Sequence, residues 1–186
     1  MQLLQTHRRL VLAAAAASIL PMREVLAQTT AAGGDWFAMV KAHHALIARS
    51  FDKLLASEGS TYLSRQVLVA TIGHQLTAHS VAEENVIYPA IALHGALSDA
   101  DKLYLDQAHA KVMNAQLEMQ AELKDKGNWM EAGRALQAAV MHHAMDDEEA
   151  RIFPALQAAL DPAMNAMLAR KYKREFDSVK LVRVAT

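Results

Sequence analysis

The sequence predicts an all-α protein, an up-down-up-down four-helix bundle with a short C-terminal helix. Three observations carry that expectation. Hydrophobic residues make up 53% of the chain, led by Ala and Leu rather than by β-branched runs. Turn formers are few, with 7 Gly and 4 Pro in 186 residues. The breaks fall between long segments whose apolar residues recur every three or four positions, the period of an amphipathic helix.

Taken in order, the first helix is expected over about 35–57, with Trp36, Val40, Ile47, Phe51 and Leu54 on one stripe and Glu58-Gly59-Ser60 ending it. The second covers about 61–93, with Leu68, Ile72, Leu76 and Ile87 on one face, Pro89 as a candidate kink and His94-Gly95 as its close. Ser98 followed by Asp101 has the pattern of an N-cap with an acidic first turn. The third helix then runs to about residue 126, with Leu105, Val112, Leu117 and Leu123 facing inward. After Gly127-Asn128 the fourth spans about 129–160 on Leu136, Val140, Ile152 and Leu156. Asp161-Pro162 opens the final amphipathic helix, which carries Met164, Met167, Leu168, Tyr172 and Phe176.

Residues 1–27 have the anatomy of a secretory signal peptide. Arg8 and Arg9 precede an apolar run from Leu10 to Leu20, and Val25-Leu26-Ala27 resembles a cleavage site. The run is about half of the roughly 20 residues that a membrane span needs. Its paired arginines loosely resemble a twin-arginine signal. The expectation is an exported, periplasmic protein with no membrane span after processing. Residues 28–34 read as a flexible lead-in, 35–177 as the bundle and 178–186 as a tail. A net charge of −1 gives no electrostatic footprint for nucleic acid. Nothing in the pattern sets the oligomeric state.

Chemistry is suggested by the 9 His. The absence of Cys means that any metal must be held by nitrogen and oxygen. On helical spacing His44, His79, His109 and His143 each fall on an inward stripe, one per helix, with His43 at the border of its stripe. Glu83, four after His79, lies above it. His74 and His94 read as ordinary surface or core residues. The stretches HSVAEENVIYP (79–89) and HAMDDEEARIFP (143–154) form a weak repeat of His, paired acids and aromatic-Pro. Counted back from Ile152, Glu148 is inward; counted forward from His143, it is five residues away and off the face. Both hold only if a one-residue π-bulge throws the helix, expected to be overwound there, out of α-register. Regular spacing instead pairs His143 with Asp147 or His142 with Asp146. Buried carboxylates among inward His are costly unless paired or metal-bound. Imidazole with carboxylate suits iron, and also zinc, manganese or copper. Six ligands exceed the needs of one tetrahedral zinc, whereas two ions bridged by the carboxylates use them all.

On His44, HSVAE (His79, Glu83), His109 and HAMDDE (His143, Glu148), together with Tyr88-Pro89 and Phe153-Pro154, the chain resembles the hemerythrin-like, or HHE cation-binding, family over about residues 35–177. The resemblance implies a bundle holding two non-haem irons, bridged by oxygen and carboxylate, that bind or sense oxygen or a related diatomic such as nitric oxide. It implies the ligand set His44, His79, Glu83, His109, His143 and Glu148, and favours Glu148 over Asp147. A di-iron oxidase or peroxidase, or an iron-handling stress protein, is the alternative. The chain departs from the oxygen carriers in helix three, where Leu105 and Met113 flank His109 at the four-residue spacing at which a second His belongs. The site is one His short, with Asp106 as a candidate substitute.

Overall fold

The computed structural model describes residues 34–123 and 127–180. The expected signal peptide, all of the lead-in but Gly34, and the end of the tail lie outside the described residues. The described chain is helical and contains no strand. α1 spans Trp36–Leu55. α2 (Tyr62–Ala82) passes without a break through a π-helical turn, π1 (Glu83–Ile87), into α3 (Tyr88–His94). α4 is Leu97–Glu122. α5 (Trp129–His142) likewise continues through a π-helical stretch, π2 (His143–Ile152), into α6 (Phe153–Ala159), and α7 is Pro162–Ser178.

The helix starts follow local chemistry. Asp35 caps α1 by accepting from the N–H groups of Phe37 and Ala38, Thr61 caps α2 through Ser64, and Asp161 caps α7 through Met164. Pro162 occupies the first turn of α7, where its missing N–H costs nothing. α4 departs from expectation. It begins before Ser98, with Ala96 in the cap position and no side-chain cap bond.

Both π segments precede a proline. Pro89 and Pro154 cannot donate to the carbonyl four residues back, and their rings would clash with it. A widened turn removes the conflict. The Tyr88 N–H donates to Glu83 O, and the Phe153 N–H to Glu148 O, each an i to i−5 bond. The aromatic-Pro ending of the repeat is therefore where each long helix changes register.

The helices pack into a bundle in which α1 contacts α2, α5 and α7, and α4 contacts α2, α3 and α5. Two apolar clusters fill it. One contains Trp36, Val40, Ile87, Leu103, Phe153, Leu156, Leu168 and Tyr172. The other contains Ile47, Phe51, Leu54, Ile72, Leu117, Trp129, Leu136 and Val140. On α1 the first cluster ends at Val40 and the second begins at Ile47, so His43 and His44 sit in the layer between them. α7 is pinned across the first cluster. Trp36 Nε1 donates to Asn165 Oδ1 (2.8 Å), while the Asn165 amide donates to the carbonyls of Gln157 and Leu160.

The stripes expected on helices one, two and four are buried or partly buried as read. The stripe on helix three is not, apart from Leu117. Leu105 and Val112 are 71% and 58% exposed, and the buried face of α4 is Ala100, Leu103, Gln107, Leu117 and Ala121. With the partly buried Ala110 and Met113 between Gln107 and Leu117, these also recur at three- and four-residue intervals, so the same sequence offered two helical faces. The packed one carries smaller and more polar residues, which suit close approach of neighbouring helices. No described helix is long and apolar enough to cross a membrane.

Candidate metal centre

The layer between the two apolar clusters is polar and closed. His44 and His79 come from α1 and α2, Glu83 from the start of π1, and Glu148 from the middle of π2. All four are buried, and one donor atom of each lies within 4.8 Å of the others, a set that can hold a metal ion. His44 Nε2 is 3.0 Å from His79 Nε2 and 3.2 Å from Glu148 Oε2. His79 Nε2 is 3.1 Å from Glu83 Oε2, and His143 Nε2 is 3.1 Å from Glu148 Oε1.

The expected break in α-register between His143 and Glu148 is present, but it is longer and wound in the other sense. π2 covers ten residues, and its i to i−5 bonding makes it a wider, underwound turn rather than an overwound one. The extra residue per turn carries Glu148 back to the face that His143 occupies. Asp147 faces elsewhere. Its carboxylate pairs with Lys102 Nζ (2.5 Å) and Arg151. His142 and Asp146 form an exposed surface pair, 2.6 Å apart. A second group of potential ligands, Asp106, His143 and Asp147, clusters nearby. Lys102 already lies 2.7 Å from Asp106 Oδ2 and 2.5 Å from Asp147 Oδ2, so this group is compensated by its own ammonium.

His109 is not part of the cluster. It is exposed on α4, because the face that turns inward is that of Leu103 and Gln107. Gln107 Nε2 donates to Glu83 Oε2 (2.8 Å) and to the Tyr88 hydroxyl (3.0 Å), so the third long helix contributes an amide where an imidazole was expected.

The outer nitrogen of each inward His is held. His44 Nδ1 meets Glu149 Oε1 at 2.7 Å, His79 Nδ1 meets the Tyr172 hydroxyl at 3.2 Å, and His143 Nδ1 meets Asp106 Oδ2 at 3.3 Å. Such partners fix ring orientation and tautomer, as the outer partners of metal-bound His do. With an N–H assigned to each Nδ1 from this network, each ring, once deprotonated as metal binding requires, turns an Nε2 lone pair inward. Tyr172 also meets His43 Nδ1 at 2.8 Å. His43, expected at the border, is 4% exposed and stacks on Phe176, because α7 covers that side of α1.

The electrostatics match the crowding. Burial and the nearby Glu148 push the Glu83 carboxyl well above its usual range. For Glu148, burial alone would do the same, but His143 and His44 hold it below. Burial would lower His44 and His143. The Glu148 and Glu149 carboxylates raise His44, and Glu148 with Asp106 raises His143. Burial and His44 drive His79 well below the ordinary imidazole value. Burial and the same neighbour lower His43 to about 3. Tyr88 is pushed well up by burial and by Glu148 and Glu83.

Two atoms test whether this set suits a metal. While the His44 ring carries no proton on Nε2, Glu83 Oε1 and Glu148 Oε2 are buried without a hydrogen-bond partner, and both face that nitrogen, at 3.9 and 3.2 Å. A buried carboxylate oxygen left unpaired costs about 1–3 kcal/mol or more. Two of them, beside two converging imidazole nitrogens, describe donors whose acceptor is a cation. The donor set is imidazole and carboxylate throughout, which suits iron, zinc, manganese and copper.

Sequence reasoning missed Tyr88, Gln107, Glu149, Tyr172 and the burial of His43. One signal was present for His43. Trp36, Val40, His43, Ile47, Ser50 and Leu54 form a second three-and-four stripe beside the one recognised, and all are buried. Comparison of the chain with protein-family models, with curated proteins and with solved structures finds no match.

Proposed function

We propose that this is a hemerythrin-like metal-binding protein. In this reading an up-down-up-down four-helix bundle, exported to the periplasm, holds a non-haem di-iron centre that binds or senses oxygen or a related diatomic such as nitric oxide. The observation that carries it is the pair of unpartnered buried oxygens, Glu83 Oε1 and Glu148 Oε2, against the converging Nε2 atoms of His44 and His79.

The carboxylates favour two ions over one. Each turns one oxygen toward His44 and the other toward Tyr88, whose hydroxyl is 3.3 Å from Glu83 Oε2 and 2.8 Å from Glu148 Oε1. Two carboxylates so placed could each be shared between two ions, with His44 and His79 holding one and His143 the other. Bound iron would supply redox change and a coordination position for a small ligand. Glu149, Tyr172 and Asp106 orient the three imidazoles, and the apolar clusters on either side exclude bulk water. Short connections between the long helices and their mutual packing favour the antiparallel arrangement.

Metal analysis of the purified mature chain, with its visible spectrum in air, tests the reading. Two irons per chain with a charge-transfer absorption are expected. Zinc, or no metal after growth in iron-rich medium, would overturn it.

A further inference from the structure

The second ion of the proposed centre has too few ligands. His143 alone among the inward histidines lies on that side, and His109 is on the surface. What the fold places there instead is Tyr88. It is fully buried at the junction of π1 and α3, and its hydroxyl oxygen has four polar neighbours within hydrogen-bonding distance. These are His143 Nε2 at 3.1 Å, Glu148 Oε1 at 2.8 Å, Glu83 Oε2 at 3.3 Å and Gln107 Nε2 at 3.0 Å.

A phenol has one proton to give and two lone pairs. Its one proton serves Glu148 Oε1, the nearer and ionised carboxylate, so in the metal-free protein Glu83 and His143 must keep protons of their own to sit beside it. The spacing suggests a different organising centre. Donor atoms about 2.1 Å from a shared ion, at right angles to one another, stand roughly 3 Å apart, close to the separations found around this oxygen. Only the widened turn allows it. The Tyr88 N–H bonds five residues back to Glu83 O, which sets the ring on the same side of the helix as the Glu83 carboxylate.

We infer that the Tyr88 phenolate oxygen is a ligand of the second metal ion, completing with His143 Nε2 and one oxygen each of Glu83 and Glu148 the site that lacks a histidine from helix three. The inference rests on the two-metal reading above. On binding, the phenol O–H bond breaks, the proton leaves to solvent, and the oxygen–metal bond forms with no change in oxidation state. Gln107 Nε2, already donating to this oxygen, would stabilise the phenolate. A coordinated phenolate would favour the ferric state of that ion and bring its protein ligands to four, the number the first ion has.

The test reconstitutes the full mature chain with iron, counts metal per chain, and records resonance Raman spectra excited in the visible band. Phenolate ring modes are expected in the wild type and in Y104F, the neighbouring ring 5.1 Å away. They are expected to be absent from Y88F, with the second iron bound at least tenfold more weakly. A wild type that binds two irons without phenolate modes overturns this inference and leaves the di-iron reading standing. Phenolate modes that persist in Y88F overturn it too, since another tyrosine would be the ligand. A wild type that binds no iron overturns both. The wild-type spectrum alone can refute the inference, so the outcome does not depend on Y88F folding.

Discussion

Glu83→Gln separates a metal site from a structural polar network, because the two predict opposite effects on the metal-free protein. Glu83 is fully buried with Oε1 unpartnered, and burial with the adjacent Glu148 favours its neutral form. A Gln side chain has the same shape. Its Oε1 can accept the bonds that Glu83 Oε2 now accepts from Gln107 Nε2 and the Tyr88 hydroxyl, while its amide donates toward the Glu148 side. Relieving an unsatisfied buried acceptor is worth about 1–3 kcal/mol. The metal-free variant should therefore match the wild type or exceed it by up to that amount, at roughly 2–4 °C in Tm per kcal/mol for a chain of this size. Metal reverses the order. An ion at 100 to 1,000 times its Kd stabilises the wild type by about 2.7–4.1 kcal/mol, roughly 5–16 °C, and the variant should lose most of that gain. Scanning calorimetry with and without iron reads both quantities. If the metal-free variant is destabilised by more than about 1 kcal/mol and metal shifts neither protein, the cluster is a structural network and the reasoning fails.

Other substitutions probe the assignments directly. His79→Ala should lower metal content, whereas His109→Ala on the exposed face of α4 should leave metal content unchanged and stability within about 0.5 kcal/mol; equal losses in both would contradict the placement of His109. Glu149→Ala removes the partner of His44 Nδ1 (2.7 Å) and should weaken metal binding about 10- to 100-fold without unfolding the bundle, as a competition titration against a chelator would read. The metal-free protein should also lose stability as pH rises above 6.5. His43 and His79, with folded values below 6.5, are neutral in both states there. His44 and His143, with raised folded values, bind more protons folded than unfolded. Their contribution is complete below 6.5 and disappears as pH climbs through the raised values. Each group contributes up to about 1.4 kcal/mol for every tenfold by which folding tightens its hold on the proton. Denaturation midpoints that stay flat or rise between pH 6.5 and 8.5 would refute this. Metal affinity should move the other way, since coordination needs deprotonated ligands.

Periodicity and local chemistry determined much of this protein. The three-and-four spacing of Trp36, Val40, Ile47, Phe51 and Leu54, and of Leu136, Val140, Ile152 and Leu156, marked buried faces correctly, because on these helices the large apolar side chains gather on one face. The same count placed His44, His79 and His143 inward, and the mismatch between the two repeats marked the helix that leaves α-register. The second departure, at Glu83–Ile87, was written in Pro89 but was masked by the regular spacing of His79 and Glu83.

Tertiary structure decided the rest. α4 carries two stripes of helical period, and which one turns inward depends on how closely its neighbours approach, which no single helix records; Leu105, Val112 and His109 went outward and Gln107 went in. His43 is buried only because α7 lies over it, and Tyr172 and Phe176 reach it from the far end of the chain. Tyr88 reads in the sequence as one more aromatic before a proline. Its hydroxyl meets Glu148 and His143 because two widened helices from distant parts of the chain face each other, and that is a property of packing rather than of spacing.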